Sequence, residues 1–504
     1  LIYRGLTRPS KGLWLTYAAN DAEGRELSPS SLIERLQRLD EGLQIEPMPA
    51  FDLEETAPAA VFHLLGGEMR KATAEAPLSP LWQDIYGFFD ENSHWQKHLS
   101  LLKQGIGKTA KPERLSPKTA KTLYGKNIFS SVSRLERFAG CPFSFFAEYG
   151  LKAEERRLYQ LNTPDLGSLF HEVLELFSNK LEQDSLPWTS LTKEETTARI
   201  HAAVEDAAPR LGNRILLDSA ANQYLIRRLK RISTRAAWTL VQHLQQGDFV
   251  PAGYEVGFGA HEALPPIVIR LQDGGSLILN GKIDRVDLLD ANGTRYVKII
   301  DYKSGNKTFH FQDIYYGLQL QLLVYLDAYL KYYKKTGASF KPGGVFYFRI
   351  TDPTLALDEE LSAEAIEKIL YEKMRMSGLL LQEDVLIHGL DHSLAESRSS
   401  AIVPVGYTKK GDPTAASNLA TEEQYAAILD FVATRTQEIG DAMKAGIITP
   451  APYRDGQRTP CAYCSYRSLC RHSYAEAPKW RKLKRIDKAD FWETITPKQP
   501  PETE

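Results

Sequence analysis

Apolar positions recur at two periods along the chain, and the switches between them divide it. Leu13-Trp14-Leu15-Thr16-Tyr17 alternates like a short strand, whereas Leu32, Ile33, Leu36 and Leu39 fall at helical spacing behind Pro29. Leu81 to Leu102 is helical again and carries Trp82, Tyr86, Phe88 and Phe89. Residues 1 to about 110 are therefore expected to alternate strand and helix. Lys111 to Lys126 holds Pro112, Pro117 and four lysines with few apolar residues, the composition of a linker. The expected domains are 1–115 and 116–504.

The pattern strengthens from residue 128. Helices are predicted from Ser130/Ser131 through Leu135 and Phe138, over Gly167–Leu181, over 215–246, over 313–333 and over 421–445. Residues 252 to 303 turn to period two and predict strands, and Gly344 to Ile350 predicts a short buried one. Residues 376 to 420, rich in Ser, Gly and Asp, read as a loop or insertion. No internal repeat is visible. The fold class expected is α/β.

Composition narrows this picture little. The 504 residues are 43% hydrophobic and 25% charged, with 62 Lys plus Arg against 64 Asp plus Glu. A formal charge of -2 excludes a supercharged nucleic-acid coat but not a local basic groove. No apolar run long enough for a spanning helix occurs, and the opening Leu1-Ile2-Tyr3-Arg4 has no signal-peptide character. The chain reads as a cytoplasmic piece of something longer. Four cysteines in this length exclude a disulfide scaffold.

One phosphate-loop lookalike is set aside. Gly105-Ile106-Gly107-Lys108-Thr109 lacks the earlier glycine, since Leu102 holds that position, and it follows a helix rather than a strand.

The chemistry is concentrated between Leu277 and Gly305. Gly281-Lys282-Ile283-Asp284-Arg285-Val286-Asp287 and Val297-Lys298-Ile299-Ile300-Asp301-Tyr302-Lys303 flank Asn292-Gly293, the strongest short hairpin signal. With those two as the turn, Asp284 falls opposite Asp301, and Lys303 shares the face of Asp301. Opposed carboxylates repel unless a cation lies between them. A hard, oxygen-seeking cation, Mg²⁺ or Mn²⁺, would suit them, and Lys303 could hold or deprotonate a water for attack on phosphorus. The same register pairs Asp287 with Lys298 on the other face as a structural salt bridge.

These residues resemble the PD-(D/E)xK nuclease core, specifically its RecB-like branch, with a restriction-endonuclease-like α/β fold and a helical surround. Gly167-Ser168-Leu169-Phe170-His171 is similar to that branch's helical histidine motif, which implies His171 as a metal ligand beside Asp284 and Asp301. Gln321-Leu322-Leu323-Val324-Tyr325 is similar to its Gln-x-x-x-Tyr motif, which implies that Gln321 and Tyr325 act with Asp284, Asp301 and Lys303 in catalysis. At i, i+4 spacing the two share one helix face and could position the phosphate backbone. Glu255 is a further acidic candidate nearby.

Cys461, Cys464 and Cys470 form Cys-x₂-Cys-x₅-Cys, and Cys141 stands far upstream in Gly140-Cys141-Pro142-Phe143. Zinc and an iron–sulfur cluster both suit four thiolates, and spacing alone leans only slightly to the latter. The arrangement resembles the iron–sulfur staple of AddB-type helicase–nuclease subunits and Cas4 nucleases, which implies a structural [4Fe-4S] cluster. Leu6-Thr7-Arg8, the Leu13–Tyr17 run and Gly24 to Ser30 resemble the end of the second motor domain of AddB-type subunits. That resemblance implies a DNA nuclease paired with an AddA-type helicase–nuclease subunit, processing double-strand breaks and cutting the 5′-ending strand fed from a duplex end. A DNA-binding subunit with an inert nuclease, a Cas4-like stand-alone exonuclease and a zinc-stapled structural subunit are the alternatives. Lys479, Arg481, Lys482, Lys484 and Arg485, around Trp480, form a candidate DNA-backbone contact, the alternative being a solvated basic face on a C-terminal helix.

Overall fold

The computed structural model describes residues 2–19, 26–40, 42–46, 56–72, 77–106, 114–154, 163–210, 220–355, 361–470, 472 and 480–496. Within it the chain divides into two units, 1–108 and 109–504.

The first unit is helical where it is ordered into elements. Helices Pro58–Lys71, Pro80–Glu91 and Ser93–Ile106 enclose a small core of Val61, Leu65, Phe89 and Leu99. Phe62 packs edge-on against Phe89 and tilted on Trp95, both at 5.0 Å, so aromatic area rather than length holds this core. The helix near Ser30 forms as Ser31–Leu39, capped by the Ser30 hydroxyl. The expected strand at Leu13–Tyr17 does not form. Its residues are exposed, Trp14 at 93%, and no neighbouring strand among the described residues offers hydrogen bonds to it. Gly107, Lys108 and Thr109 of the phosphate-loop lookalike lie outside the described residues.

The second unit opens with a correction. The stretch expected to be a linker contains the helix Pro117–Tyr124. Ser116 accepts the Thr119 amide and Pro117 occupies the first helical position, a start signal that the lysines obscured.

The strands in chain order are β1 Asn127–Ser130, β2 Val250–Phe258, β3 Ile267–Arg270, β4 Ser276–Leu279, β5 Gly281–Ala291, β6 Thr294–Lys303, β7 Phe340–Arg349, β8 Ser377–Leu381, β9 Leu419–Ala420, β10 Tyr453–Arg454 and β11 Arg481–Lys482. The main sheet runs β2-β5-β6-β7-β8-β9. β5 is antiparallel to both β2 and β6, while β6 and β7 are parallel. Parallel neighbours require a crossover, supplied here by helices Phe311–Tyr315 and Gln321–Lys335. The predicted single helix over 313–333 is thus broken, and the break falls at Gly317, whose φ of 73° only glycine adopts freely. Helix Ala220–Gln245 covers the opposite face, where His243 packs edge-on to Phe348.

Residues 376–420 are not a loop. They supply β8, β9 and helix Asp384–Leu390, and bury Leu379, Leu380, Leu381, Ile402 and Val403. A few of their polar residues are turned inward: buried Asp391 accepts from Ser393 and Ser400, and buried Ser417 bonds both the amide and the carbonyl of Gly406. At Asp391, Ser400 and Ser417 the polar side chain serves internal hydrogen bonding rather than solvation.

Behind β5 and β6 lies a buried ion cluster. Arg285 grips Asp287 through Nε at 2.6 Å and Nη2 at 3.0 Å, and Lys298 reaches the same carboxylate at 2.9 Å. Trp188 and Phe249 present their faces to the two cations. The expected Asp287–Lys298 pair is present, but as part of a sealed core.

Candidate active site

The hairpin forms at Asn292 and Gly293, with φ of 50° and 74°, the two left-handed residues that a type I′ turn needs. Arg285 pairs with Ile300, and every pair from there to the turn keeps the expected register. The ladder ends at that pair, one step short of Asp284 and Asp301. There the Tyr302 amide donates to Asp284 Oδ2 at 2.6 Å instead. On the other side, Tyr254 pairs with Arg285 and Val256 with Ile283, which sets Glu255 against Asp284. Three carboxylates therefore lie in a row across β2, β5 and β6. Glu255 sits at φ 46°, a conformation costly for a residue with a Cβ.

Helix Thr163–Gln183 brings His171 to this row, with Nδ1 3.3 Å from Asp284 Oδ2. One ligand atom each from His171, Glu255 and Asp284 lie within 4.8 Å of one another, the one such metal-competent group among the described residues. The expected ligand set named Asp301 where this group has Glu255; Asp301 borders the group rather than joining it. Burial, followed by the neighbouring Asp284 and Glu175 charges, pushes the Glu255 carboxyl up to about 7. Burial and Asp284 likewise push Asp301 up to about 6, against the pull of Lys303. Burial draws the His171 imidazole down, but its hydrogen bond to Asp284 and that residue's charge outweigh it and leave it raised. Two hard carboxylates and an imidazole at this spacing are donors that could hold a hard divalent cation.

Asp301, 1% exposed, is fully engaged by its neighbours. Lys303 forms an ion pair with its Oδ2, and Gln321 Nε2 donates to its Oδ1 at 2.7 Å. Gln321 also lies 3.4 Å from the Tyr325 hydroxyl, so the two residues do share a helix face. Gln321 thus holds Asp301 directly, and Tyr325 contacts Gln321. Gly281 must lack a side chain here, because a Cβ would come within 2.7 Å of the Phe258 ring and 3.1 Å of the Tyr325 hydroxyl. Lys303 stays charged: burial lowers it, but Asp301 and Asp284 raise it further.

This geometry coincides with a family match. Residues 130–471 match the description "PD-(D/E)XK nuclease superfamily". The chain belongs to that superfamily. Residues 56–105 match "ATP-dependent helicase/deoxyribonuclease AddB fifth domain", the helical unit described above. Curated relatives carry the name of an ATP-dependent helicase/deoxyribonuclease subunit. One, from Alkaliphilus oremlandii, is 38% identical over 98% of this chain and 44% of its own length. A second, from Alkaliphilus metalliredigens, is 39% identical over 93% of this chain and 41% of its own length. Another, from Caldanaerobacter subterraneus, is 36% identical over 94% and 41%. The chain spans less than half the length of these curated relatives.

The cysteine segments approach one another. Cys141 is buried at the end of helix Val132–Gly140, and a Cβ on Gly140 would lie 4.0 Å from the Pro460 ring. Burial pushes the Cys141 thiol up, and Cys461 adds to this; Cys461 in turn is pushed up by burial and by Cys464 and Cys470. No three of the four sulfurs lie within 4.8 Å of one another among the described residues.

The basic run differs from expectation. It forms β11 and irregular chain rather than a helix, and the C-terminal helix begins only at Lys488. The Arg481 guanidinium donates to the Ala139 carbonyl near Cys141. Lys482, Lys484 and Arg485 are exposed, and Lys479 lies outside the described residues.

Proposed function

We propose that the chain is the nuclease-bearing part of an AddB-type helicase–nuclease subunit that hydrolyses DNA phosphodiester bonds during double-strand break repair. The observation that carries this reading is Lys303, held against Asp301 at the end of a three-carboxylate row that His171 completes. His171, Glu255 and Asp284, with Asp301 beside them, would hold Mg²⁺ or Mn²⁺. A divalent ion bound there neutralises charge on the scissile phosphate and acidifies water. Lys303, kept protonated by Asp301 and Asp284, would orient the attacking water and the phosphate by donating hydrogen bonds, with the water's proton passing to bulk solvent, while Gln321 holds Asp301 in place. Match over nearly the whole chain, helical unit included, favours a subunit partnered with an AddA-type protein over a stand-alone nuclease. The substrate would be a single strand from a duplex end, the 5′-ending one, and the compartment cytoplasmic. The test is cleavage of end-labelled single-stranded DNA by the full-length protein. Cleavage that needs Mg²⁺ or Mn²⁺ and stops with a chelator is expected; binding without cleavage at any metal concentration would favour an inert nuclease fold.

The four thiols would hold a [4Fe-4S] staple. A cluster there would tie buried Cys141 to Cys461, Cys464 and Cys470 and close a very long loop, restricting the unfolded chain. Anaerobically purified protein is expected to contain iron and sulfide, and Cys141→Ser to lose both. Zinc without iron would overturn the cluster assignment.

A further inference from the structure

Helix Gln321–Lys335 starts without a cap of its own. Its N-cap residue is Leu320, whose side chain has no acceptor, so the first amides of the helix need one from elsewhere. Glu136, on helix Val132–Gly140, provides it. Its Oε1 accepts the amides of Leu320 at 2.8 Å and Gln321 at 3.1 Å, from 184 and 185 residues away in sequence. A carboxylate at a helix N-terminus is also favoured by the helix dipole. Its Oε2 accepts from Lys307 Nζ at 3.2 Å, and Lys307 and Lys303 both face the ring of Tyr347.

The residue so anchored is the one that matters. Gln321 donates its backbone amide to Glu136 and its side-chain amide to Asp301. We propose that Glu136 is a positioning residue of the nuclease, a remote N-cap that fixes the Gln321–Asp301 hydrogen bond and keeps Lys307 beside the site. It touches no reacting atom in this arrangement and acts through Gln321. The inference rests on the nuclease reading above.

The test compares Glu136→Gln, Glu136→Asp and Glu136→Ala in the full-length protein, with Gln321→Ala and the Glu136→Ala/Gln321→Ala double variant. Glutamine keeps the Oε1 acceptor for the two amides but loses the charge and the Oε2 acceptor of Lys307; because the effect runs through Gln321, its kcat on single-stranded DNA should stay within ~3-fold of the parent. Aspartate is too short to reach both amides, and alanine offers no acceptor. Both should lower kcat by ~10- to 100-fold with KM little changed, the scale of a catalytic group displaced by about an ångström. The double variant should be no slower than Gln321→Ala, because both changes break one chain of contacts. A merely structural Glu136 would instead multiply the two losses and show no rescue by glutamine. Either of those results, or parental kcat in Glu136→Asp, overturns the proposal while parental cleavage leaves the nuclease reading standing. If Glu136→Ala fails to fold, the glutamine and aspartate variants decide. A parent protein that cannot cleave removes the nuclease reading, and this proposal with it.

Discussion

Alanine at Asp301 or at Lys303 is expected to slow DNA cleavage by ~10³-fold or more, while single-stranded DNA still binds. Asp301 is the only carboxylate of the row that is tied at both oxygens, by Lys303 and by Gln321, so it links the water-handling cation to the acidic cluster. Removing it frees Lys303 to swing and removes charge from the candidate cation site. Removing Lys303 leaves Asp301 buried without its cation, although the row itself remains. Asp301→Asn separates shape from charge: its amide oxygen can still accept from Gln321, yet cleavage should fall as far as in the alanine variant. Thermal unfolding should move the other way or not at all for the asparagine, since loss of one of three adjacent carboxylates relieves repulsion that folding has to overcome. Single-turnover cleavage with Mg²⁺, beside a binding isotherm, reads both effects. Retained cleavage in either alanine variant would remove these residues from the reaction.

What could be read from the sequence followed from how local its cause is. The Asn292-Gly293 turn fixes the hairpin register by backbone chemistry within four residues, so the placement of Asp284, Asp301 and Lys303 was legible. The shared helix face of Gln321 and Tyr325 needed only helical spacing. Glu255 was harder to place. Its alignment with Asp284 depends on a register shift between Pro251 and Gly253 and on its own positive φ, neither visible as a pattern. Glu136 was illegible because the amides it caps are fixed by tertiary packing far along the chain. The 376–420 region misled because short buried strands carry no period, and because Ser400, Ser417 and Asp391 bond inward. The helix at Pro117 was a different kind of miss, since its Ser-Pro start was local and was outweighed by a count of lysines.

The ion cluster behind the sheet should have the largest effect on stability. Asp287 is wholly buried, and burial alone would push its carboxyl up; Arg285 and Lys298 overcome that and hold it below the usual range. Its contribution is therefore complete at neutral pH, where it is ionised in both folded and unfolded chains. It is lost only as pH falls below the ordinary carboxylate value of about 4 and through the lower folded one. Asp287→Ala leaves Arg285, 1% exposed, and Lys298, 5% exposed, facing each other without an anion. Breaking a buried pair in this way costs about 3–5 kcal/mol. Replacing the whole cluster, as Arg285→Met with Asp287→Leu and Lys298→Met, removes the desolvation cost together with the attraction, so its denaturation midpoint should lie well above that of Asp287→Ala. Urea denaturation at pH 7 measures the difference. An Asp287→Ala midpoint equal to the parent's would mean that water reaches the cluster. The cations that seal the back of β5 and β6 would then not be what holds Asp284 and Asp301 in register on the front.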